Sequence, residues 1–248
     1  MIKIDNVYKS FGGKRILNGV SLEIDKGQTF ALIGGSGKGK SVLLKHIIGL
    51  LKPDSGRIFV ENQDISNLRG KKLKELKDRF GVVFQGGALF DSLTVFENVA
   101  FPLQEKTKLN ALQIRDKVLK ELANVGLEED GEKYPAQISG GMRKRTALAR
   151  CLIMNPQVIL FDEPTTGLDT MTVKSIHRLI KKLQENRNLT ALIISHEIPE
   201  IFEIVDRVAM LYNGKIIAIG TPEEIKALKD PLVRQFLTGE LESKDIDL

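Results

Sequence analysis

The chain has 248 residues, 42% of them apolar and 28% charged, which is enough for one large domain or two small ones with a sizeable core. No apolar run approaches the roughly 20 residues of a membrane span, and the start Met1-Ile2-Lys3-Ile4-Asp5 lacks the layout of a secretory signal, so a cytoplasmic protein is expected. The net charge of +5 comes from 37 cations among 32 anions. With short basic clusters at 69–74 and 143–145 and no aromatics between them, that balance reads as a mixed solvated surface, not a nucleic-acid groove.

In chain order, the first thirty residues read as strands. Val20, Leu22 and Ile24 alternate, and Gly12-Gly13 marks a turn. Residues 29–33 form a buried strand running into a glycine-rich loop, and 41–51 follow as a helix. Short strands are expected at 57–60 and 81–84. Between about 86 and 154 the pattern is mostly helical, with Ile114, Val118 and Leu122 at helical spacing. Cys151 falls there. As the single cysteine it excludes an internal disulfide and a thiolate metal cluster, and it reads as a small residue on a buried helix, not a reactive thiol. Residues 158–161 are an apolar strand of the kind buried on both faces of a parallel sheet. An amphipathic helix at 172–185 and a buried strand at 191–195 follow. Residues 208–219 form a hairpin turning at Asn213-Gly214. Thr221, Pro222 and Glu224 then open a helix with a capping box. The stretch 241–248 is a polar tail. Apolar strands alternating with helices indicate an α/β chain with a mainly parallel sheet, interrupted by a helical insertion.

The loop Gly34, Gly35, Ser36, Gly37, Lys38, Gly39, Lys40, Ser41 fits G-x-x-x-x-G-K-[ST]. Its glycines let main-chain N–H groups wrap a phosphate at the start of a helix, where Val42 also lies. Lys40 reaches the β- and γ-phosphates of a nucleotide, and Ser41 holds Mg²⁺. Lys38 is not required by the pattern and reads as a solvated charge near phosphate. The strand at 158–161 ends in Asp162 and Glu163. In a parallel sheet, ligands sit beyond the strand C-termini. Asp162 is thereby placed toward the same Mg²⁺ and Glu163 toward a water attacking the γ-phosphate. ATP and Mg²⁺ are the expected cofactors.

Ile138-Ser139-Gly140-Gly141-Met142 resembles the signature motif of ATP-binding cassette (ABC) ATPases. Gln85 resembles that family's Q-loop glutamine, Gly167-Leu168-Asp169 its D-loop, His196 its switch histidine and Phe11 its adenine-stacking aromatic. The motifs stand in the family's order. The resemblance implies a P-loop NTPase (RecA-like) parallel-sheet core with an N-terminal antiparallel β subdomain (together about 1–85 and 155–240) and an inserted helical subdomain (about 86–154). It also implies a homodimer in which Ser139, Gly140, Gly141 and Asp169 of one chain meet ATP on the other, Gln85 as a further metal ligand, and Glu163, His196 and Gln85 as the catalytic set. Two departures stand out: Met142 replaces the usual glutamine, and Thr166-Gly167 replaces Ser-Ala.

Ser139 to Arg145, Gln85 to Leu103 and Asp230 to Leu237 resemble the lipid-transport group that serves MCE-domain proteins. That resemblance implies peripheral attachment at the cytoplasmic face of the inner membrane. Its partners would be integral-membrane permease subunits, an MCE-domain substrate-binding protein and a small accessory subunit, and the cargo phospholipid. Leu89, Phe90, Leu93, Val95, Phe96 and Phe101 suit either a permease helix or internal packing. A small-solute importer ATPase and a non-transport ABC ATPase remain alternatives at this point.

Overall fold

The computed structural model describes residues 2–239; the tail expected at 241–248 lies outside them. Strands β1 (Ile2–Phe11) and β2 (Lys14–Ile24) pair antiparallel, with Phe11 opposite Lys14 across the glycine turn. Gly12 and Gly13 have φ of 55° and 79°, as a two-residue hairpin turn of the favoured hand requires. Next come β3 (Thr29–Ile33), α1 (Lys40–Ile47), β4 (Ser55–Val60), β5 (Gln63–Asp64), α2 (Gly70–Lys77) and β6 (Phe80–Val83). Three longer helices follow: α3 (Val95–Lys106), α4 (Ala111–Asn124) and α5 (Gly140–Leu152). The chain then forms β7 (Val158–Asp162), α6 (Thr170–Arg187), β8 (Thr190–Ser195), β9 (Arg207–Tyr212), β10 (Lys215–Gly220), α7 (Pro222–Ala227) and α8 (Pro231–Leu237).

Helix α2 has no counterpart in the sequence reading. Leu76 is its one buried residue, so it carries too little apolar periodicity to announce itself. The capping box before α7 is present: Thr221 Oγ1 accepts from the Glu224 amide at 3.2 Å and Glu224 Oε2 from the Thr221 amide at 2.8 Å.

Two sheets result. One is antiparallel in the order β2-β1-β4-β5, and the other has six strands in the order β10-β9-β3-β8-β7-β6. In the larger sheet β9, β3, β8, β7 and β6 run parallel, and β10 turns back antiparallel. This is an α/β fold, with a parallel core and an antiparallel sheet beside it. Successive residues of the central strands enter opposite cores. Ala31, Ile33, Ile159 and Phe161 join the cluster shared with α3, α4 and α5. Phe30, Leu32, Val158 and Leu160 join the cluster shared with α1 and the antiparallel sheet. Burial on both faces explains why these strands read as unbroken apolar runs. Cys151 packs under this layer, and burial pushes its thiol up to about 12, so it is not a ready nucleophile.

Gly56 shows how closely the antiparallel sheet is built. Its φ is 87°, and a Cβ there would lie 2.6 Å from the Asn6 carbonyl carbon and 2.7 Å from Asp5 O. Gly56→Ala is therefore expected to destabilise the fold by about 2–4 kcal/mol, combining backbone strain with overpacking. Gly12→Ala, with φ of 55° and nothing within 4 Å of the new methyl, should cost about 1–2 kcal/mol. Urea unfolding of the two variants side by side checks the difference. Equal losses would mean that backbone strain alone sets the cost.

Candidate functional site

Strand register brings distant residues to one edge of the parallel sheet. Ile33 pairs with Ser195, Asp162 with Ile194 and Val83 with Phe161. The C-terminal ends of β3, β8, β7 and β6 therefore lie level. The next residues along the chain are Gly34, His196, Glu163 and, one position beyond Phe84, Gln85.

The glycine loop is the tightest part of this edge. Gly34 has φ of 149° and lies so close to the Leu211 carbonyl that a Cβ would collide with it. Gly37 and Gly39 have φ of 68° and 107°, values that side chains with a Cβ rarely adopt. Gly39 is the N-cap of α1, and no side chain caps that helix. Its first N–H groups and its dipole are left facing the loop, as an anion site requires. Lys40 is buried, and its Nζ donates to the Gly34 and Gly35 carbonyl oxygens at 2.8 and 3.0 Å. Ser36 is exposed, Lys38 is half-buried, and Val42 packs against the core beneath.

The acids at the end of β7 face this loop. Ser41 Oγ donates to Asp162 Oδ1 at 2.9 Å. Glu163 Oε1 lies 4.0 Å from Lys40 Nζ and 3.4 Å from His196 Nδ1. Glu163 has φ of 50°, and its amide donates to Ile194 O at 3.1 Å. This left-handed turn directs its side chain away from the course of β7, at a cost that the flanking strands offset. Thr166 Oγ1 donates to Glu163 Oε2 at 3.2 Å. One lysine, two hydroxyls, two carboxylates and one imidazole thus share a single cleft edge. The hydroxyl and carboxylate oxygens are hard donors, which fit Mg²⁺.

The other candidates make contacts of their own. Gln85 is exposed, and its main-chain oxygen accepts a hydrogen bond from Lys144 Nζ. Ser139 caps α5, accepting from the Met142 amide at 3.2 Å, with Gly140 and Gly141 in the first turn. The Met142 side chain packs against the core; the Ser139 cap uses its main-chain amide, so it needs no glutamine there. Asp169 caps α6. The Thr172 hydroxyl at 2.6 Å and the Thr172 amide at 3.0 Å hold its carboxyl below the usual range. Phe11 is 46% exposed, with Lys9 Nζ 5.3 Å from its ring centre.

The basic cluster at 143–145 is solvated only in part: Arg143 is exposed and Arg145 half-buried. Lys144 is buried. Arg143 donates to Ile138 O at 2.8 Å, and Arg145 to Val125 O at 3.1 Å and to Ser175 Oγ at 2.9 Å. Burial holds the Lys144 ammonium below the ordinary lysine range, and Glu197 opposes that shift. The available signal was spacing. Lys144 stands three residues after Gly141 and four before Leu148, on the buried stripe of α5.

Residues 17–166 match the ABC transporter family. The chain belongs to that family. As an ABC protein it is 44% identical, over 96% of its length, to the "probable ribonucleotide transport ATP-binding protein mkl" of Mycobacterium tuberculosis. It spans 66% of that relative. It is 41% identical, over 97% of its length and 91% of the relative's, to the "intermembrane phospholipid transport system ATP-binding protein MlaF" of Haemophilus influenzae. Among solved structures, the dimeric ATP-binding cassette MJ0796, in a post-hydrolysis state bound to ADP and Pi, superposes with a TM-score of 0.81 at 33% identity. That match covers 90% of this ABC chain and 99% of the other. No helix among the described residues is long and apolar enough to cross a membrane.

Proposed function

We propose that this ABC chain is the ATP-hydrolysing subunit of a phospholipid transporter, working as a homodimer beneath membrane-embedded permeases. The meeting of Lys40, Ser41, Asp162, Glu163 and His196 at one sheet edge carries the catalytic part of this reading. The phospholipid part is carried by similarity to MlaF, which this chain spans almost completely, whereas it spans two thirds of mkl.

The loop amides of Gly35 to Ser41, with Lys40 Nζ, bind and orient the ATP phosphates; Lys40 exchanges its carbonyl acceptors for phosphate oxygens. Ser41, Asp162 and Gln85 would hold Mg²⁺, which offsets phosphate charge when bound. Glu163 accepts a proton from the attacking water, and His196, 3.4 Å away, holds that carboxylate and the γ-phosphate in line. Phe11 supplies an exposed ring for adenine, and Lys38 a second cation at the loop. Ser139, Gly140 and Gly141, at the start of α5, face the nucleotide of the partner chain, with Asp169 at the same junction.

Phe90 and Phe101, with ring centres 4.8 Å apart, line a groove of about 390 Å³ together with Val82, Pro102, Arg150 and Met154. We assign this groove to a permease helix. Val95 and Phe96 are instead turned into packing, Val95 fully buried and Phe96 against the core. The location is the cytoplasmic face of the inner membrane, and the further partners are an MCE-domain protein and a small accessory subunit; no nucleic acid is involved. Affinity purification from detergent-solubilised membranes tests the assembly. The expected co-purifying proteins are a permease and an MCE-domain protein. Recovery of a small-solute permease without an MCE protein would overturn the lipid assignment.

A further inference from the structure

Behind His196 lies a polar cluster that the proposed chemistry does not use. Glu197 follows His196 directly, and its Oε2 accepts a hydrogen bond from Thr165 Oγ1. The same oxygen lies 4.0 Å from His177 Nε2 on α6. The Glu197 amide donates to Ser195 Oγ at 3.0 Å. Thr165 and His177 are 1% and 2% exposed, so the contact is sealed from water on those sides. The Glu197 carboxylate acts electrostatically on the Lys144 ammonium of α5. Burial holds the His177 imidazole below its ordinary range, which leaves it neutral beside the acid.

The position of Thr165 gives the contact its consequence. It sits between Glu163 and Asp169, in the segment leading into α6, and its neighbour Thr166 bonds Glu163 itself. Strands β7 and β8 are already locked together by their main-chain ladder. The ladder ends with the Glu163 amide's bond to Ile194 O. Between Thr165 and Glu197 a buried hydroxyl donates to a carboxylate, a hydrogen bond about twice as strong as a neutral one. It joins the segment that carries Glu163 to the segment that carries His196.

We propose that Glu197 is a positioning residue for His196, its contact with Thr165 holding the segment after β8 so that the imidazole stays within reach of Glu163. This rests on the reading of His196 as part of the hydrolytic site.

Thr165→Val removes the hydroxyl at nearly constant volume and lies 31 positions from His196 in the sequence. The chain has three histidines, so ring ¹⁵N signals of histidine-labelled full-length protein are readily assigned. Thr165→Val should shift the His196 ring signals and lower kcat roughly 10- to 100-fold. KM for ATP should stay within about twofold, because the phosphate loop is untouched. Thr165→Ser should restore both the signals and the rate. Glu197→Ala should lower kcat to a similar degree and serves if Thr165→Val does not fold. Unmoved His196 signals, no rescue by serine, or an unchanged kcat where His196→Ala itself loses turnover would overturn the proposal. Full turnover by His196→Ala would instead remove His196 from the mechanism; shifted ring signals in Thr165→Val would still establish the positioning contact.

Discussion

Glu163→Gln is expected to reduce ATP turnover by about 10²- to 10⁴-fold while leaving the protein folded and able to bind ATP. The exchange is isosteric. The amide oxygen still accepts from Thr166 Oγ1, now at 3.2 Å from the carboxylate. The main-chain bond from residue 163 to Ile194 O is unaffected. What disappears is the one carboxylate of the cleft that is not hydrogen-bonded to Ser41 and stands beside His196. An amide cannot take a proton from water at neutral pH. If Glu163 is the base, the variant holds ATP without cleaving it. In the proposed homodimer that state holds ATP between the two chains. Phosphate release measured beside MgATP-dependent dimer formation in light scattering separates the two effects. Turnover close to that of the unmodified protein would show that another group takes the proton.

Lys40→Ala should act one step earlier. Lys40 is 4% exposed, and its ammonium rests on two loop carbonyls within 4.0 Å of Glu163. A hydrogen bond from a charged donor is worth about 1.5–3 kcal/mol, and each 1.4 kcal/mol is tenfold in affinity. Nucleotide affinity should therefore fall about 10- to 150-fold, and turnover at moderate ATP should fall at least as far. Titration with a fluorescent ATP analogue reads the affinity directly. Unchanged affinity with lost turnover would mean that Lys40 acts on the transition state alone. The two substitutions thus differ in kind: Glu163→Gln keeps binding and loses chemistry, whereas Lys40→Ala loses binding.

Much of this molecule is legible in its sequence. Residues 29–33 and 191–195 announce buried strands because parallel strands covered on both faces are made mostly of apolar residues. The Gly12-Gly13 and Asn213-Gly214 turns and the Thr221 cap are local chemistry and need no distant partner. The phosphate loop is of the same kind. Gly34, Gly37, Gly39, Lys40 and Ser41 are contiguous, and their job is done by their own main chain. The expected helix at 41–51 ends earlier, at Ile47, because a turn with φ of 64° at Gly49 closes it.

Other features exist only in three dimensions. Ser41 and Asp162 are 121 positions apart and meet because β3, β8 and β7 pair in one register. The burial of Lys144, its hold on the Gln85 carbonyl and the Thr165–Glu197 contact arise where α5, α6 and the loops after β6, β7 and β8 converge. No local pattern marks them; in the sequence Lys144 is one cation in a basic triplet and Glu197 one acid beside a histidine. The opening balance of charges therefore described the surface and misread part of the interior. The sequence by itself determined the strands, turns and phosphate loop, because each depends on neighbours within a few residues. The tertiary structure decided which charges are buried and which loops are joined, because those depend on strand register and on what packs across it.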